Sequence, residues 1–197
     1  MGQDFRAILR NGIDERFRKS LPELLNTDLE KVHESFTQAR LDINSSDEWE
    51  WRWNPDFDPP FDEWLASGTV ELWRPGSLSF EIAKGTATLG CWVRWREFVN
   101  EKKVQQAMRE IVFHFAKLLN SELAIYVPDS SSQLGERALT MGTERARLEE
   151  IIEYLAHQRS AAKSIDDICK PSVTLIDGKY YETLECEGYF IDHFRGV

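Results

Sequence analysis

The chain of 197 residues predicts an α+β fold, an antiparallel sheet with one long helix laid across a face. Three observations predict it. Between 69 and 96, apolar and polar residues alternate in three short runs, separated by Arg74-Pro75-Gly76-Ser77 and by Lys84-Gly85-Thr86. Period two means strands, and turns this short mean a meander. Between 101 and 119 the period changes to 3.6: Val104, Ala107, Met108, Ile111, Phe115, Leu118 and Leu119 form a broad apolar arc, with Gln106, Glu110 and Lys117 opposite. Between 122 and 128 alternation returns, with Leu123, Ile125 and Val127 on one side.

The elements follow in order within one domain, 1–197. Residues 1–43 read as a helical N-terminal region. A short strand is predicted at 5–9 and a first helix at 13–20. The capping-box spacing of Thr27-Asp28-Leu29-Glu30 then opens a helix over 28–40, with Leu29, Val32, Phe36 and Ala39 on one stripe.

Residues 44–68 are acidic and rich in tryptophan and proline. Trp49-Glu50-Trp51-Arg52-Trp53 alternates strictly, so an extended chain turns all three indoles to one side, either packed on the core with Glu50 and Arg52 solvated or offered to a partner. Pro55, Pro59 and Pro60 break regular structure after it. Seven acids against Arg52 give 47–64 a net −6 of the chain's −10.

Residues 69–197 form the α+β core. Pro75-Gly76 suits a type II turn. Cys91 lies on the apolar side of its strand, as a buried, inert thiol. His114 borders the apolar arc of the long helix, and Phe113 falls on its polar side, suited to packing beneath the N-terminal region. Past the 122–128 strand, helices are predicted at 133–141, stopped by Gly142, and from a Thr143 cap through Leu148, Ile151, Ile152 and Leu155. Asp177-Gly178 centres a hairpin over 173–184, and 189–194 supplies an aromatic edge strand.

Composition excludes several functions. A net charge of −10 repels phosphate backbones, so nucleic acid is not an expected partner. Cys91, Cys169 and Cys186 include no CxxC pair, which fits a reducing cytoplasm rather than a disulfide framework. No run approaches 18 apolar residues, so no membrane span is expected, and the opening MGQDFRAILR is not a signal peptide. Phosphate-binding glycine loops, HExxH and GxSxG are absent, and no metal or cofactor is expected.

Two functional readings remain. The first is a non-enzymatic protein that binds a basic protein partner through Trp49, Trp51, Trp53, Asp56, Asp58 and Trp64, aromatic anchors with an acidic rim. In charge and size alone, the chain is similar to small acidic cytosolic proteins that neutralise cationic toxins. The alternative is a small hydrolase or ligand-binding enzyme with its site at Asp129, at the carboxyl end of a strand, and His114 or His193 as base. A homodimer through the C-terminal aromatic edge is compatible with either reading.

Overall fold

A computed structural model describes residues 4–13, 20–27, 29–38, 50–53, 68–73, 78–129, 133–144, 146–159, 163–164, 173–176, 179–182 and 189–195. The predicted helix at 13–20 and the prolines at 55–60 lie almost wholly outside them.

The fold is α+β, as the three observations require. Strands β1 (Asp4–Arg10), β2 (Glu50–Trp53), β3 (Gly68–Trp73), β4 (Leu78–Ile82), β5 (Thr86–Arg94), β6 (Leu123–Pro128), β7 (Lys163–Ser164) and β10 (Phe190–His193) form one sheet. Its order is β2-β3-β4-β5-β1-β6-β10-β7. All neighbours are antiparallel except β10 and β7. The hairpin predicted around Asp177-Gly178, expected to extend the main sheet, is present as β8 (Val173–Ile176) and β9 (Lys179–Glu182) but forms a two-stranded sheet of its own.

Strand β1, expected as a short piece at 5–9, is the centre of the sheet. It separates β5 from β6, pairing Ala7 with Leu89 on one side and with Tyr126 on the other. Phe5, Ala7 and Leu9 turn to one face and Ile8 to the other, all fully buried. A strand covered on both faces reads as a continuous apolar run, and alternation is lost.

Helices α1 (Leu21–Asn26), α2 (Leu29–Gln38), α3 (Trp95–Asn100) and α4 (Lys102–Leu119) lie on the first face. In α4, Val104, Met108, Ile111, Phe115 and Leu119 are buried along the predicted arc. Asn120 ends it in the left-handed conformation (φ 52°), donating its N–H to the carbonyls of Ala116 and Lys117. Phe113 borders the gap between α4 and the N-terminal helix α2. Its ring meets Phe194 at 5.4 Å, with Lys117 Nζ 4.4 Å above it.

The second face was not anticipated as a covered one. Helices α5 (Gln133–Thr143) and α6 (Leu148–Arg159) bring Ala138, Leu148, Ile151 and Leu155 onto Ile8, Ile125 and Val127. Gly142 does not stop α5, which runs through it. A Cβ there would stand 2.8 Å from Thr86 Oγ1, so glycine permits the helix to approach β5. Nor does Thr143 cap α6, because it still belongs to α5. Instead the Glu150 carboxylate accepts the Arg147 N–H at 2.6 Å.

Candidate functional site

The acidic segment joins the fold at β2, one of the two outer strands of the sheet among the described residues. Trp51 is only 1% exposed, and its indole stands edge-on to Phe115 at 5.6 Å. The sequence offered Trp51 either as an anchor for a partner or as one face of a strand packed on the core; its ring is part of the core. The main chain of Trp51 is held from outside the sheet by Asn26, the last residue of α1. The Trp51 N–H donates to Asn26 Oδ1 at 2.8 Å, and Asn26 Nδ2 donates to the Trp51 carbonyl at 3.2 Å. One side-chain amide thus does what a neighbouring strand would do. The indole Nε1 is buried with no hydrogen-bond partner among the described residues. On the opposite side of the strand, Glu50 and Arg52 are exposed and paired with each other. Trp49, Asp56, Asp58, Trp64 and the side chain of Trp53 fall outside the described residues.

The residues of the enzyme reading are not brought together. Asp129 follows the carboxyl end of β6, half-exposed, and its N–H donates to the Asp4 carbonyl at 2.8 Å. His193 pairs with Leu123 at the other end of the same strand, roughly 20 Å away at the usual rise per residue. His114 belongs to that far end too, because its neighbour Phe113 contacts Phe194, whose N–H bonds the Glu122 carbonyl. His114 itself is half-buried and edge-on to Phe115 at 5.9 Å. Among the described residues, no group of three His, Cys, Asp or Glu side chains is placed to hold a metal ion. Among them, too, no helix is long and apolar enough to cross a membrane.

Sequence reasoning passed over one polar cluster. Asp192, 3% exposed, receives Arg109 through Nε at 2.8 Å and Nη2 at 3.0 Å, and the Tyr126 hydroxyl at 2.9 Å. Both carboxylate oxygens are therefore satisfied, as a buried charge requires. Burial, and then the adjacent Asp192 carboxylate, hold the Tyr126 hydroxyl well above its ordinary value of 10.0. The three residues lie on α4, β6 and β10, so no local pattern could have joined them. The only signal was an aspartate in an apolar run, Phe190-Ile191-Asp192. Beside the cluster, Lys102, Gln105, Arg109, Phe113, Asp192 and Phe194 border an open cavity of about 410 Å³. A second cavity, about 560 Å³, lies between α2 and α4 and is bordered by Lys31, Glu34, Ser35, Glu110, His114 and Lys117. Acids and bases alternate around both, so neither has the single sign of charge that would select an ionic ligand.

Comparison with known proteins returns no match: no family model, no curated protein and no solved structure aligns with this chain.

Proposed function

We propose that the protein is a non-catalytic binding protein whose partner is a basic protein, docking on the acidic segment 47–64. The observation that carries this is the rooting of that segment at β2. Trp51 is buried against Phe115 and gripped by Asn26, so the chain enters the segment from a fixed point on a rigid sheet. The segment carries a net −6, more than half of the total charge of −10. A concentrated charge on a firm root speeds encounter with a cation and makes binding fall with salt. In this reading Trp51 positions the segment, while Asp56 and Asp58 supply the field.

The test is affinity capture with crosslinking, comparing the wild-type chain with two charge-reversed variants. Asp56→Lys with Asp58→Lys changes the segment. Glu136→Lys with Glu153→Lys changes net charge equally on exposed positions of α5 and α6. A basic protein held by the wild type and the second variant, lost from the first and released by salt, is the expected result. Equal capture by all three would overturn the proposal.

A further inference from the structure

We propose that the groove between α4 and the end of β10 binds a small uncharged aromatic molecule that carries a donor and an acceptor side by side, as a carboxamide or a lactam does. The groove lies toward the opposite edge of the sheet from β2, so the inference does not depend on the basic-partner reading.

One wall is a single stripe of α4. Lys102, Gln105, Arg109 and Phe113 recur at the three- and four-residue spacing that puts side chains on one side of a helix, and all border the cavity of about 410 Å³. The other wall is Asp192 and, just past the strand, Phe194. The volume falls within the range of small-molecule sites, roughly 300–1,000 Å³. Both walls are set before any ligand arrives. Asp192 is buried and bonded through both oxygens to Arg109 and Tyr126, which fixes the plane of the Arg109 guanidinium. The Phe194 main chain is fixed by its N–H to the Glu122 carbonyl at 2.8 Å. Walls held in place in advance lower the entropy lost on binding.

The ligand class follows from which polar groups are already engaged. Asp192 is taken up by Arg109 and Tyr126. Glu110 accepts from the Gln106 amide at 3.2 Å and from the Ser35 hydroxyl at 3.4 Å, one bond to each oxygen. These two acids offset Lys102 and Arg109, which leaves no net charge for an ion. Gln105 is different. It is half-buried, and its carboxamide has no hydrogen-bond partner among the described residues. A carboxamide presents a donor beside an acceptor, so it pairs in two bonds with a ligand edge that does the same. The apolar body of the ligand is met further along the stripe. Phe113 and Phe194 are half-buried, with ring centres 5.4 Å apart and planes at 50°. A flat ring between Arg109 and this pair meets the guanidinium face to face and the phenyls edge to face, both favourable arrangements. An aliphatic body of the same size gains neither. A carboxylate in place of the amide loses the donor to Gln105 and adds a charge beside Glu110.

The experiment titrates benzamide into the full chain and follows the backbone amide signals by nuclear magnetic resonance. Saturable shifts gathered along 102–113 and 190–194 are the expected result. Benzoate, which lacks the donor and adds a charge, should bind at least about tenfold more weakly. Cyclohexanecarboxamide, which lacks the flat ring, should be weaker by a similar factor. Gln105→Leu and Phe194→Leu keep apolar volume at half-buried positions, and each should weaken benzamide about tenfold. Glu34→Gln, on the border of the second cavity, should leave benzamide binding unchanged. No shift of the named amides up to the solubility of benzamide would overturn the proposal. So would shifts gathered elsewhere, either analogue binding as tightly as benzamide, or both leucine variants binding like the wild type. Should Phe194→Leu not fold, Gln105→Leu and the two analogues decide without it.

Discussion

The two faces of the sheet are built differently. The first is aromatic. Phe5, Phe98 and Tyr126 form a triangle with ring centres 4.5, 5.2 and 5.5 Å apart, and Phe80 and Trp51 flank Phe115 at 4.6 and 5.6 Å. The second is mostly aliphatic, with Ile8, Ile125, Val127, Leu148, Ile151 and Leu155 around the buried Tyr189 and a partly buried Tyr154. Aromatic rings supply much buried area, but tyrosine and tryptophan bring polar atoms with them. On the first face that demand appears at both ends. Tyr126 needs Asp192, which in turn needs Arg109. At the other end the Trp51 indole finds no partner among the described residues. The second face makes few such demands. The first face should therefore be stronger per residue and more easily broken by a polar mistake.

The largest expected loss is at Phe115, where Trp51, Phe80 and α4 meet. Phe115→Ala should destabilise by about 3–5 kcal/mol and release Trp51, visible as a red shift in tryptophan emission. Next comes Asp192→Ala, expected to cost about 3 kcal/mol because Arg109 and Tyr126 lose a shared buried partner. Denaturant melts would measure both. Leu155→Ala on the second face should cost about 2 kcal/mol and leave the Trp51 signal untouched. A Leu155→Ala loss equal to that of Phe115→Ala would break the contrast between the faces.

The same contrast explains what was legible in the sequence. The long helix and strand β4 were readable because each has a wetter side, and only a wet side produces a period. β1 is buried on both faces, so Ala7-Ile8-Leu9 reads as a plain apolar run; β6 was read as a strand, but its alternation did not tell that Tyr126 is as hidden as Ile125. The helices over the second face could be proposed one by one, but nothing in their stripes said which face of the sheet they would cover. The Trp49–Trp53 alternation was plain, yet alternation does not say which side is dry, and the expected partner anchor Trp51 lies in the core. Arg109 and Asp192 are 83 residues apart, and their pairing is a product of topology alone. The Asp129 site rested on strand-end logic that is sound for parallel sheets. Here β6 is antiparallel to its neighbours, so its far end, not Asp129, carries His193.

The smallest effect sharpens the comparison most, because it asks what a charge does on the less demanding face. Glu81 alternates with Phe80 and Ile82, which face α4, so it points to the second side, where it lies opposite Thr88. Burial raises its carboxyl above the ordinary value of 4.5, and the opposing pull of Arg6 is the smaller influence. A carboxyl raised on folding contributes stability that is fully present below its unfolded value and lost as pH rises through its folded one. Ionised Glu81 should therefore weigh on the fold at neutral pH. Glu81→Gln is expected to raise the melting temperature at pH 7, with the gain shrinking to nothing as pH falls below the ordinary carboxyl range. Thermal melts of both proteins across that span would decide it. A lower melting temperature for Glu81→Gln at pH 7 would mean that Arg6 outweighs burial, and that the second face, like the first, is held by a polar partnership.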